Sequence, residues 1–234
     1  MIGSGYIVIF ILFVIVSWII GEQLKSRFRK YAKIPVNMEM SGKEVAEKML
    51  YENGIYDVKV ITVEGKLSDH YNPATKTVNL SRDVYHGSSI ASAAIAAHEC
   101  GHAVQHAMAY SMLQFRTALV PVQNISAKIM NIIFTMMFFG VFLFNSFISL
   151  DFALYVIVGC YAVFTLFAFV TLPVEIDASH RALMWLNSAG ITSYGTHEKA
   201  KDALKWAAYT YVVAALSSLA MLLYFLLMLA GRRD

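Results

Sequence analysis

The strongest constraint on this chain is a set of apolar runs too long for a water-soluble core. Tyr6 to Ile20, Val122 to about Phe144, Phe152 to Leu172 and Trp206 to Ala230 carry almost no charge, and Lys128 is the only charged residue inside them. A helix needs about 20 apolar residues to cross a bilayer. Counted from Ile2, the first run is just long enough. Lipid offers the backbone no water, so an isolated run must satisfy its N–H and C=O groups internally, as a helix does. Composition agrees: 58% of residues are hydrophobic and 15% charged, against about 25% charged in soluble domains. The expected class is therefore a mainly α membrane protein with about four transmembrane helices. A net charge of +3, with no basic run carrying interleaved aromatics, excludes nucleic acid as a partner. The two cysteines, Cys100 and Cys160, do not read as halves of a disulfide.

Charge around the first run sets an orientation. Lys25, Arg27, Arg29, Lys30 and Lys33 follow it and nothing basic precedes it. A cleaved signal peptide carries its charge on the other side and ends in a small-residue cleavage site. Residues 1–21 are thus expected to form an uncleaved anchor, its N-terminus outside and the following segment cytoplasmic. Residues 121–172 read as a transmembrane hairpin with an outer turn at Asn145 to Asp151, returning the chain to the cytoplasmic face at Pro173. Residues 173–205 are a polar helical segment on that face, and 206–230 a last transmembrane helix. Arg232 and Arg233 then lie outside, two charges against the five that set the orientation. The expected location is the cell membrane, multi-pass.

Residues 22–120 differ in kind and read as a cytoplasmic α+β domain. Ser41-Gly42-Lys43-Glu44 is a capping box, and the helix it opens should stop at Gly54. Val58 to Val63 reads as a strand. Thr75 to Ser81 alternates Thr77 and Asn79 against Val78 and Leu80, as a half-exposed strand does, with a turn at Asn72-Pro73 between them. That second strand is either an ordinary hairpin strand or an edge that pairs with extended peptide. Ser88 or Ser89 can cap the next helix, which should run through His106, and Pro121 suits the first turn of a new one.

Inside this domain lies Ala97-His98-Glu99-Cys100-Gly101-His102-Ala103. Four residues apart on a helix, His98 and His102 share one face. Two such imidazoles can bind one Zn²⁺, and Glu99 beside them can take a proton from an activated water, the H-E-x-x-H pattern of zinc proteases. A catalytic zinc needs a third protein ligand on the same side of the membrane. Glu175 meets that condition, yet spacing alone fits equally a carboxylate solvated at the end of a span. Ser179, one turn later, is placed to hydrogen-bond a ligand. Asp177 should pair with Arg181 at i+4.

Other histidines are less constrained. His106 follows His102 by four residues, whereas the third histidine of the extended H-E-x-x-H-x-x-G-x-x-H motif follows by six, so it is a candidate for contact with a ligand or substrate instead. His70 is a candidate of the same kind. His180, Arg181, Tyr194 and His197 can serve as oxyanion donors or as solvated surface. His86 reads as exposed loop.

Several runs together resemble the YugP-like membrane zinc metallopeptidases, gluzincin-type enzymes related to the HtpX-like and CAAX prenyl proteases. They are Ser41-Gly42 with its helix, Leu67-Ser68-Asp69-His70-Tyr71-Asn72-Pro73, Leu80-Ser81 with Val84-Tyr85, Ala96 to His106, Leu119-Val120-Pro121, and Leu172-Pro173-Val174-Glu175-Ile176-Asp177-Ala178-Ser179. The gluzincin relatives carry E-x-x-A-D, whose first Glu is the third zinc ligand. The resemblance implies that role for Glu175 and a zincin-like domain around the motif helix. Ser179 stands where the relatives have Asp.

The expected function is a membrane-embedded, zinc-dependent endopeptidase that hydrolyses peptide bonds at the cytoplasmic membrane face. One catalytic Zn²⁺ would sit on His98, His102 and Glu175, with Glu99 as the base. Substrates would be membrane-associated proteins or peptides. A non-catalytic, zinc-stabilised scaffold or chaperone partner is the alternative, and it requires a closed fourth ligand position, from Cys100 or His106. Cys100 is two residues from each histidine and so faces away from both. A transporter would need polar groups at mid-membrane, where the spans offer only Lys128.

Overall fold

A computed structural model describes residues 4–143 and 149–231, with the side-chain surroundings of 4, 137–143 and 150 left out. The chain is mainly helical with one small mixed sheet. In order come α1 (Ser4–Tyr31), α2 (Gly42–Glu52), β1 (Lys59–Val63), β2 (His70–Asn72), β3 (Thr77–Ser81), α3 (Arg82–Tyr85), α4 (Ile90–Ala107), α5 (Ser111–Leu143), α6 (Leu150–Ser188) and α7 (Tyr194–Ala230). Among the described residues, three helices are long and apolar enough to cross a membrane: Gly5–Tyr31, Asp151–Ser188 and Tyr194–Ala230. The expected second span falls in α5, partly beyond the described side chains, and most of the outer turn at Asn145 to Asp151 lies outside the described residues.

Two compact units are built from this chain. One comprises Met1–Trp18, Phe115–Leu172 and Tyr211–Asp234. Its core holds Met130, Ile133, Leu154, Ile157 and Phe225, with Tyr6 and Tyr161 packed on the Phe225 ring.

The other comprises Ile19–Gln114 and Pro173–Thr210, and it carries the sheet and the histidine motif. The Ser41 side chain accepts from the Glu44 amide and the Glu44 carboxylate from the Ser41 amide, closing the capping box that starts α2. Gly54, at φ +73°, lets the chain leave that helix in the left-handed region. Val45, Ala46, Met49 and Leu50 of α2 then bury against the alanine-rich face of α4. Small side chains on α4 allow that close approach, and Ser89 caps it by accepting from the Ser92 amide.

The sheet runs β1-β3-β2, with β1 parallel and β2 antiparallel to β3. Two expectations change here. The Asn72-Pro73 turn joins β2 to β3 rather than β1 to β3, and Asn72 Oδ1 closes it by accepting from the Ala74 and Thr75 amides. β3 is central, so Asn79 and Ser81 are buried along with Val78 and Leu80. The Asn79 amide compensates by donating to the His70 and Thr77 carbonyls.

Pro121 also departs from its expected place. It lies inside α5 and not in a first turn. Proline deletes one i→i−4 bond but need not end a helix in an apolar setting, where local adjustment re-satisfies the backbone. The break falls earlier, at Ala109, whose φ of +52° turns the chain between α4 and α5. α6 likewise runs unbroken through Pro173.

Candidate metal centre

Helical periodicity places His98 and His102 side by side on α4, their ring centroids 4.8 Å apart. α6 supplies Glu175. Its Oε2 lies 3.4 Å from His98 Nε2 and 3.5 Å from His102 Nε2. Ligands about 2.0–2.2 Å from a tetrahedral zinc are separated by about 3.4 Å, so these distances are edges of such a tetrahedron. The three side chains fit a zinc ion by donor type, by count and by spacing. Side-chain exposures of 13% for His98, 10% for His102 and 3% for Glu175 put the open side at the histidines. Burial disfavours a charged His102, but the Glu175 carboxylate beside it outweighs this and raises its pKa above the usual value.

Gly101 explains how α6 comes so near. A Cβ there would lie 2.6 Å from the Ala178 carbonyl oxygen and 3.1 Å from the Ala178 Cα. Only glycine permits this backbone contact, which sits between His98 and His102 on one helix and just past Glu175 on the other.

Around these three side chains the neighbours are specific. The Ser179 hydroxyl is 3.1 Å from His98 Nδ1. The fully buried Gln105 places its Oε1 3.0 Å from His102 Nδ1 and donates from Nε2 to the Val174 carbonyl (2.7 Å) and to Asp177 Oδ2 (2.8 Å). Asp177 also accepts from Arg181 Nε at 2.6 Å, the i+4 pair read from the sequence. Glu99 is buried, and its Oε2 accepts the backbone N–H of Tyr71, 3.0 Å away on β2. β2 is held in turn through Asp69, whose carboxylate accepts from the Ser81 amide and hydroxyl.

The remaining candidates are placed apart. His106 is exposed, with its Nδ1 2.9 Å from the hydroxyl of Tyr71, the residue whose backbone N–H meets Glu99. His70 is exposed on β2 and its Nδ1 is 2.8 Å from the Ser68 carbonyl. The Arg181 guanidinium is engaged by Asp177 and by Met108 Sδ. His197 sits near Thr192, Tyr194 is almost wholly exposed, and His86 packs on the Tyr85 ring. Cys100 donates to the Ala46 carbonyl, away from the cluster. Sequence reasoning missed Gln105 and Tyr71. A Gln three residues past the second histidine of the motif was the available signal for the first. Nothing local marks the second, because its contact comes from the sheet.

A family model described as "Putative neutral zinc metallopeptidase" matches residues 6–230. The chain is also 39% identical over 212 residues to "Putative membrane protease YugP" of Bacillus subtilis (strain 168), an alignment covering 91% of each protein. No solved structure matches it.

Proposed function

The chain belongs to the zinc metallopeptidase family whose match spans residues 6–230, and from that premise we propose a membrane-embedded endopeptidase acting at the cytoplasmic membrane face. His98, His102 and Glu175 would hold a single zinc. The observation that carries this reading is the convergence of those three donors within 4.8 Å of one another, Glu175 Oε2 lying at a tetrahedral edge distance from each histidine Nε2, with Glu99 next to the histidines on α4. Zinc in such a site supplies Lewis acidity, activating water and polarising a carbonyl.

The chain's own residues do the rest. Glu99 takes the proton of the attacking water and delivers it to the leaving amine. The Tyr71 N–H aims the Glu99 carboxylate from one side, so the base is held by backbone and not by a mobile side chain. Burial of Glu99 and Glu175 keeps bulk water from competing at the site. Glu175 rides on α6, which is continuous with an apolar segment long enough to span, and this favours membrane-associated protein or peptide substrates, with a cytoplasmic site on the charge rule.

A scaffold role would close the fourth ligand position. Cys100 is turned to Ala46 and His106 to Tyr71, and among the described residues no fourth metal-binding side chain joins the three. The test is Glu99→Gln in the purified full-length protein, with an unfolded protein as substrate. It should keep one equivalent of zinc and lose about 10²–10⁴-fold in turnover. Wild-type cleavage by the variant would overturn the mechanism.

A further inference from the structure

Gln105 is the most completely buried polar side chain at the site, and its hydrogen bonds can be read without ambiguity. Its amide group meets three partners between α4 and α6. Two of them, the Val174 carbonyl and the Asp177 carboxylate, only accept, Asp177 being paired with Arg181. The NH₂ end of the amide must therefore face them. Its Oε1 is left facing His102 Nδ1 and cannot donate, so His102 carries its proton on Nδ1. In the neutral ring this leaves Nε2 with a bare lone pair, directed toward Glu175 Oε2. His98 has no such constraint, because the Ser179 hydroxyl opposite its Nδ1 can either donate or accept.

The other half of the amide acts on α6. Val174 immediately precedes Glu175, and Asp177 lies two residues after it. Holding both from one side chain fixes where Glu175 stands along α4. Gly101 sets how near the two helices come, and Gln105 sets their register. Neither contact does the other's work.

We propose that Gln105 is a positioning residue that sets the tautomer of His102 and locks the Glu175 helix in register with the histidine helix, a role that the gluzincin pattern gives to no glutamine here. The proposal rests on the zinc reading above and concerns the assembly of the ligand set. An amide suits the task where a carboxylate does not. It supplies one acceptor to the ring and two donors to α6 without adding a negative charge beside Asp177 and Glu175. Partners of ligand histidines are typically worth 10–100-fold in metal affinity or activity.

Zinc affinity of the full-length protein, measured by chelator competition, tests this, together with the visible spectrum of the cobalt-substituted form. Gln105→Met keeps length and apolar volume but removes every hydrogen bond. It should fold, bind zinc about 10–100-fold more weakly, and shift the cobalt bands. Gln105→Glu combined with Asp177→Asn keeps an acceptor for His102 and restores the contact to position 177 with its direction reversed, but loses the donor to the Val174 carbonyl, so its zinc affinity should fall between those of Gln105→Met and wild type. Wild-type affinity in Gln105→Met would overturn the proposal. So would a double variant as weak as Gln105→Met, since that result means that the acceptor facing His102 and the contact to position 177 count for nothing. If Gln105→Met does not fold, the double variant is compared with wild type, and an unchanged zinc affinity with the Val174 donor gone would overturn the register role. His102→Ala separates the two levels of inference. If it binds zinc like the wild type, or the wild type binds none, the metal site itself falls. If it loses zinc while Gln105→Met does not, only the positioning role falls.

Discussion

Asp69 reaches the site only through the strand it anchors. Burial pushes its carboxyl pKa above the ordinary value, against the pull of the Ser81 amide and hydroxyl. A carboxyl raised on folding binds protons more tightly in the folded state. Its contribution is fully present below the unfolded pKa, near 4, and is lost as pH rises through the folded value. Asp69→Asn keeps an acceptor for Ser81 but has nothing to ionise. The melting temperature of the variant relative to wild type should therefore rise between about pH 4 and pH 7, and thermal melts of both proteins across that window check it. A flat difference would show that folding does not raise the Asp69 carboxyl pKa. Single residues were also where sequence was most informative. The i, i+4 spacing of His98 and His102 is fixed by the helix itself, and Asp177 with Arg181 follows the same rule. Gln105 meets His102 at i−3 on one helix, but its hold on α6, like the contact made by Tyr71, follows no local period. Their meaning comes from partners 69 to 72 and 28 residues away in sequence, which only the folded chain brings close.

Elements were legible where chemistry is local and obscure where it depends on neighbours. The capping box of α2, the Gly54 stop and the Ser89 cap each involve residues within one turn. β2 is three residues long and has no pattern to detect, and β3 looked half-exposed because its central place in the sheet is a fact about β1 and β2. Pro121 misled for the same reason: a proline reads as a boundary until the surrounding helix is seen to continue. Between elements, the decisive contact is α4 on α6 at Gly101. Gly101→Ala places a methyl 2.6 Å from the Ala178 carbonyl oxygen, a backbone atom that cannot step aside. The variant should lose about 1–3 kcal/mol of stability by overpacking, and its zinc affinity should fall with it, because Glu175 shares the displaced helix. Gly195, in α7, has nothing within 4 Å of its would-be Cβ, so Gly195→Ala should be neutral or slightly stabilising. Thermal melting of both variants, with chelator competition for the first, separates the close approach from the general effect of adding a methyl to a helix. Zinc should itself tie the two elements. Chelation should lower the melting temperature of the wild type, and Glu175→Ala should remove most of that chelator sensitivity and bind zinc weakly, with Asp177→Ala affected less. Equal zinc occupancy in Glu175→Ala and wild type would move the third ligand elsewhere.

For the whole molecule, the charge flanking the first helix decides which side of the membrane the motif faces. Five cations in nine residues follow the first apolar run, and the segment before it has none. If the first helix sets the orientation, α2 to α4 and the polar end of α6 are both cytoplasmic. Cysteine labelling can test this without a cysteine-free background. Cys100 is fully buried, and burial drives its thiol pKa far up, so it offers no thiolate to a reagent. Cys160 is buried as well. Gln23 and Asn187 are exposed and stand in the two halves of the sequence that contribute to the motif-bearing unit. With Gln23→Cys or Asn187→Cys, a membrane-impermeant maleimide should leave intact cells unlabelled and should label both positions once the cells are permeabilised. Labelling of both from outside would invert the molecule and turn the site toward extracellular peptides. Labelling of one but not the other would be the more damaging result. It would put Glu175 and the two histidines on opposite faces, and no single zinc could then join them.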